Sequence, residues 1–209
     1  ASSGVRSLAA SATTTGPTVA PATTAAPGPS TTEPPVTSPS TTDAEAAADT
    51  GDGIGDAVFP DLGNPGVDVL DYLVEVSPDQ TTDILTGSVT LAIRFTEARS
   101  EFTLDSLGPQ ITAVTIDGDG VAFQADDPEL RITPDEPIAA GGTHTVTIDY
   151  TVALERDSMR FAPGWVPTAG GSYVLNEPDA ARTWLPSNDH PSDKATWTFR
   201  ITVPTGVTG

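Results

Sequence analysis

Ser88-Val89-Thr90-Leu91-Ala92-Ile93-Arg94-Phe95 alternates without a break. Val89, Leu91, Ile93 and Phe95 fall on one side, and Ser88, Thr90, Ala92 and Arg94 on the other. Successive side chains point to opposite faces of a strand, so this period of two marks a half-buried strand. The same pattern recurs in both directions along the chain. Val146, Ile148, Tyr150 and Val152 alternate with Thr145, Thr147, Asp149 and Thr151. Leu70, Tyr72, Val74 and Val76 make a third face, and Phe199, Ile201 and Val203 a fourth. Turn signals separate these runs at Ser77-Pro78-Asp79, Asp117-Gly118-Asp119-Gly120, Thr133-Pro134-Asp135 and Gly141-Gly142. No stretch carries a helical stripe of useful length. The pattern predicts an all-β fold, an antiparallel β-sandwich or saddle of many short strands.

The first 50 residues differ in kind: 38 of them are Ala, Thr, Ser or Pro, and the first aromatic is Phe59. Such a segment has too little apolar area to offset an ordering cost of about 1–2 kcal/mol per residue. We expect residues 1–55 to be a disordered Thr/Pro/Ala-rich tail and 56–209 a β domain whose last strands are incomplete. Thr/Pro stalks of this kind often separate a secreted enzyme from its anchor, which favours an extracellular or cell-surface location; a generic linker has the same composition.

Charge and residue counts exclude several classes. The 209 residues hold nine Lys and Arg against 29 Asp and Glu, a net of -20. A chain this acidic repels a phosphate backbone, which argues against nucleic acid. There is no Cys, so thiolate zinc sites, disulfides and thiol nucleophiles are out. No apolar run approaches the roughly 20 residues that span a bilayer. No G-x-S-x-G elbow and no Gly-rich phosphate loop occurs.

The acidic loops and histidines read plainly. Asp117-Gly118-Asp119-Gly120, like Asp52-Gly53 with Asp56, lacks the further oxygen ligands of a calcium loop. Asp-Gly is a tight hairpin connection, and that is the expectation at Asp117. His144 and His190 stand singly, with no second imidazole one helical turn away, so neither supports a zinc site. His144 is expected at a strand end and His190 in a turn.

One segment is denser than the rest. Between Gly164 and Pro204 lie all three tryptophans (Trp165, Trp184, Trp197), the only lysine (Lys194), Glu177, Arg182 and His190. Aromatic, mixed-charge, irregular stretches are where a β scaffold commonly carries function, although a structural crossover around a Trp-rich mini-core has the same composition. Two ion pairs suggest themselves, Arg182 with Asp189 and Lys194 with Asp193 or Asp189.

The run from Glu177 to Trp197, with Ala181, Arg182, Leu185, Pro186, Asp189, Pro191, Lys194 and Ala195 in register, resembles the N-terminal domain signature of the aminopeptidase N family of zinc metallopeptidases. That pattern runs approximately E-x-x-x-A-R-x-x-F-P-x-x-D-x-P-x-x-K-A-x-F, with Leu185 and Trp197 as conservative replacements. Tyr72-Leu-Val-Glu-Val, the Gly87-Ser-Val-Thr-Leu strand and Gly164-Trp165 are similar to the family's opening hairpin and Gly-aromatic pair.

The resemblance implies a β-saddle packed against a thermolysin-like catalytic domain, with Glu177 binding the free α-amino group of a peptide substrate. Arg182, Asp189 and Lys194 would support the loop that presents it. Leu175 stands where the family often has Gln, so no first-residue preference carries over. The family's zinc motif, H-E-x-x-H, and its G-A-M-E-N loop do not occur before Gly209. The resemblance therefore places zinc and catalysis in a region beyond residue 209, and implies that this chain alone binds no metal and cleaves nothing. The alternative is a non-catalytic β-sandwich binding or adhesion module on a Thr/Pro stalk.

Overall fold

A computed structural model describes residues 53–161 and 163–208. The expected tail therefore lies outside the described residues, apart from its last three, Gly53, Ile54 and Gly55. Eleven strands and a single 3-10 turn, Ala181–Thr183, make up the described secondary structure. They are β1 (Val67–Asp79), β2 (Ile84–Phe95), β3 (Phe102–Asp105), β4 (Gln110–Ile116), β5 (Asp119–Gly120), β6 (Ala122–Asp126), β7 (Glu129–Thr133), β8 (Thr143–Ala153), β9 (Gly164–Thr168), β10 (Gly171–Leu175) and β11 (Thr196–Ile201).

The main sheet has six strands in the order β11-β1-β2-β8-β4-β5, a second has the order β3-β7-β6, and β9 and β10 form a hairpin. The alternating faces read from the sequence meet in one core. Val89, Leu91, Ile93 and Phe95 of β2 are fully buried, as are Val146 and Ile148 of β8, with Tyr150 and Val152 close behind. Phe102 and Leu104 of β3 and Leu130 and Ile132 of β7 join them in the same apolar cluster. Phe95 meets Phe102 edge-on at 4.9 Å, which ties the two sheets together.

Three local readings differ from the structure. The third face does not run straight. A β-bulge between Val69 and Asp71 shifts the pairing with β2, so that Val67 and Val69 precede Tyr72, Val74 and Val76 in the core while Leu70 is 38% exposed. Ser77-Pro78-Asp79 is not a turn either: β1 continues through it, with Pro78 opposite Leu85. The neighbouring β11 has ended by then, its last register pair being Val76 with Ile201, so this proline without an N–H lies where one side of β1 is unpaired.

The fourth face is the largest departure. β11 lies parallel to β1, with Tyr72, Val74 and Val76 opposite Trp197, Phe199 and Ile201. All other strand pairs among the described residues are antiparallel. A parallel neighbour requires a long crossover, and the segment from Asn176 to Ala195 leads into it. As the edge strand, β11 leaves Trp197 and Phe199 more than a third exposed, and Val203 lies beyond its end.

The Asp117 hairpin is as expected. Thr115 pairs with Gly120 and Ile116 with Asp119, so Asp117-Gly118 is a two-residue connection, and both residues have positive φ. The Asp117 carboxylate accepts the Thr145 N–H at 2.8 Å and lies 2.7 Å from His144 Nδ1, which places His144 near the start of β8. Among the described residues no helix is long and apolar enough to cross a membrane.

Candidate functional site

The segment singled out for its tryptophans is more regular than its composition suggests. Its first third is the β9–β10 hairpin, in which Trp165 lies opposite Val174 and Gly164 opposite Leu175. Asn176 leaves the hairpin, and its carbonyl accepts the Ala180 N–H at 2.7 Å, closing a turn that contains Glu177, Pro178 and Asp179. Glu177 is exposed on this turn, and no hydrogen bond or ion pair engages its carboxylate among the described residues. The 3-10 turn follows, and Trp184, at its end, is buried against Trp165 edge-on at 5.2 Å.

Gly164 makes this junction possible. Its φ is +75°, and a Cβ there would lie 2.3 Å from Thr183 Oγ1 and 3.2 Å from Trp184 Cδ1. Only glycine accepts both the conformation and the contact.

From Leu185 to Asp193 the chain is laid across the sheets by polar contacts. Ser187 bridges Asp105 at the end of β3, with Asp105 N to Ser187 O at 2.8 Å and Ser187 N to Asp105 O at 3.0 Å. The Asp105 carboxylate has no exposure and accepts the Asp189 N–H at 2.8 Å and the Asn64 side-chain amide at 3.1 Å. Burial pushes this carboxyl up to about 6, and the neighbouring Asp189 charge adds to the effect. Asn188 donates its N–H to Tyr72 Oη at 3.0 Å, and its side-chain oxygen accepts the Asn64 N–H at 2.8 Å. Asp193 accepts the Val69 N–H at 3.0 Å, at the β1 bulge. His190 is buried, with Nε2 2.9 Å from Asp56 and Nδ1 2.7 Å from Ser192 Oγ.

The residues assigned to supporting the loop divide. Arg182 and Asp189 are brought together, but by backbone: the Arg182 N–H donates to Asp189 at 3.1 Å, while its guanidinium pairs with Asp179 at 2.9 Å. The ion pair thus falls on Asp179, three residues back along the turn and not on Asp189. Burial raises the carboxyls of both Asp189 and Asp193. Lys194 is exposed, makes no ion pair among the described residues, and reaches only the Pro191 carbonyl at 3.4 Å.

Sequence reasoning missed three contributors. Asn176 accepts the Trp184 indole N–H at 2.9 Å. Asn64 and Asp105 anchor the loop from positions more than 80 residues upstream. A buried indole N–H usually finds an acceptor, so Trp184 carried a signal that a partner existed, without saying which.

A groove of about 670 Å³ opens beside the hairpin, lined among others by Trp165, Tyr173, Asn176, Trp184 and Phe199. Val174 lines it as well, and Leu175 and Trp197 are exposed on the same two strands, β10 and β11. Among the described residues no group of three or more His, Asp or Glu side chains is placed to hold a metal, so their donor set does not fit a zinc site.

Residues 69–208 match the family model of the peptidase M1 N-terminal domain. The chain belongs to that family. Among solved structures it is similar to the M1 zinc metallopeptidase of Deinococcus radiodurans, at 38% identity and a TM-score of 0.66 over 73% of this chain. A mutant of that enzyme bound to a Tyr-Ser-Ala substrate gives 38% identity and a TM-score of 0.66 over 72% of the chain. A two-domain M1 zinc metallopeptidase mutant bound to L-tryptophan gives 37% and 0.65. The match spans 36% of the length of each of these enzymes. A comparison with curated protein sequences finds no match.

Proposed function

We propose that the chain is the N-terminal domain of a zinc-dependent aminopeptidase, and that Glu177 receives the α-amino group of the peptide substrate. The observation that carries this is a carboxylate held out on a braced turn, within the family's signature, with no internal partner. A carboxylate in that state is free to accept charge-assisted hydrogen bonds from an ammonium. Fixing the ammonium places the first peptide bond at a set distance from it, which is how a cleft measures a chain end. Zinc and the groups that use it would belong to a further region, a reading supported by the similarity to M1 zinc metallopeptidases, of whose length the match spans 36%. The half-exposed apolar surface of β10 and β11 forms the wall facing that region. The Ala/Thr/Ser/Pro-rich composition of residues 1–50 supports export, with that segment as a tether, and fractionation of the producing cells would locate the protein.

The test uses the gene's full-length product and an unblocked aminoacyl p-nitroanilide. Glu177→Gln keeps the shape and removes the charge, and should lower kcat/KM by about 100-fold, the order seen when a reacting group is misplaced. Wild-type kinetics from that variant would overturn the assignment.

A further inference from the structure

We infer that Asn176 is a positioning residue for Glu177, acting through the indole of Trp184. This rests on the role just proposed for Glu177 and adds the group that aims it. An exposed carboxylate with no contacts of its own has its direction set only by the backbone beneath it. Asn176 fixes that backbone twice. Its carbonyl closes the turn onto Ala180 at 2.7 Å, and its Oδ1 accepts the Trp184 Nε1–H at 2.9 Å.

Trp184 is a firm anchor. It is 3% exposed, it packs edge-on against Trp165 of β9, and the Thr183 hydroxyl beside it donates to the Ala180 carbonyl at 2.7 Å. The buried Trp165 indole N–H finds no acceptor, so among the described residues the bond to Asn176 is the only hydrogen bond an indole of this aromatic pair makes. The remaining acid on the turn, Asp179, is engaged by Arg182 and leaves Glu177 alone. An amide oxygen on a short side chain holds the indole without adding a second negative charge beside Glu177.

The experiment measures steady-state kinetics of the gene's full-length product on an unblocked aminoacyl p-nitroanilide. The variants are Asn176→Ala, Asn176→Asp, Trp184→Phe, Glu177→Gln and the double variant Asn176→Ala/Glu177→Gln. Asn176→Ala and Trp184→Phe should each lower kcat/KM roughly tenfold, the scale of a lost orienting contact. Asn176→Asp, which keeps an acceptor oxygen but adds a charge beside Glu177, should recover part of that loss. In the Glu177→Gln background Asn176→Ala should cost nothing more, because a residue acting only through another shows full coupling to it. A loss that adds in full to that of Glu177→Gln would overturn the inference and leave Asn176 a merely structural residue. So would wild-type kinetics from both Asn176→Ala and Trp184→Phe while Glu177→Gln is impaired. Wild-type kinetics from Glu177→Gln would instead remove the underlying reading of Glu177.

Discussion

Asp105 lies where β3, the segment around Asn64 and the loop around Asp189 meet, and its carboxylate takes donors from two of them: the Asn64 amide and the Asp189 N–H. With its carboxyl raised to about 6 by burial, the folded protein holds this proton more tightly than the unfolded chain, where an aspartate titrates near 3.9. The stability linked to this group is therefore fully present below about pH 4 and is lost as pH rises through about 6. Asp189 and Asp193, also raised, act in the same direction. Asp56, Asp79 and Asp117 are lowered by hydrogen bonds and oppose it only below their ordinary range. The melting temperature should thus rise as pH falls from 7 to 5. Asp105→Asn should remove a large part of that rise, on the order of 1 kcal/mol between pH 7 and 5 out of the roughly 3 kcal/mol linked to this group over its whole range. Thermal unfolding at the two pH values checks this, and an identical pH slope in the variant would refute it. Nothing around Leu104-Asp105-Ser106 in the sequence announces this role, since the partners Asn64 and Asp189 lie 41 and 84 residues away. The His190–Asp56 contact, across 134 residues, was hidden for the same reason. Glu177 stands out in the sequence because it belongs to a motif whose spacing is local, whereas the Asn176–Trp184 hydrogen bond beside it is also local but carries no pattern of its own.

Strands were legible wherever one face was buried and the pairing ran without interruption, as in β2 and β8, because alternation is what a pleated sheet imposes on sequence. The alternation failed at the β1 bulge. One extra residue swaps the faces, and Leu70 and Val69 exchange the roles that a straight count assigns them. Substitution separates the two readings. Val69→Ala, at a position with no exposure, should cost about 1–3 kcal/mol, while Leu70→Ala should cost about 0.5 kcal/mol or less. Urea unfolding of both variants decides it: a larger loss at Leu70 would mean that β1 runs straight. The direction of β11 was illegible for a different reason. Alternation in Phe199 and Ile201 marks a strand, but parallel or antiparallel placement is set by the crossover before it, and this crossover is held by side chains from β1 and β3.

At the scale of the whole molecule two surface properties pull apart. The net charge of -20 keeps copies of the chain away from one another, whereas Tyr173, Val174, Phe199 and Val207 line one groove, each between 38% and 46% exposed. Apolar side chains gathered on one surface around a groove mark a contact surface more often than scattered ones do. Part of the ladder is already tightly held, since Trp197 stacks on buried Tyr72 with ring centres 3.8 Å apart, and Phe199 stacks on Trp197 at 5.8 Å. Such an ordered platform keeps its shape while uncovered, so it should bind an apolar probe in the native state and not only on unfolding. The probe must be neutral, because an anionic dye would be repelled by the chain's own field. Nile red fluorescence should therefore increase with the folded chain, and Phe199→Ser combined with Tyr173→Ser should remove most of the increase while the protein stays folded. Trp197 is left untouched in this test, because removing it would uncover Tyr72 and replace one apolar surface with another. If the face is the wall toward the zinc-bearing region, the same dye should gain little on the gene's full-length product. Equal dye binding by this chain and by the gene's full-length product would show that this face stays open and would refute the proposed wall.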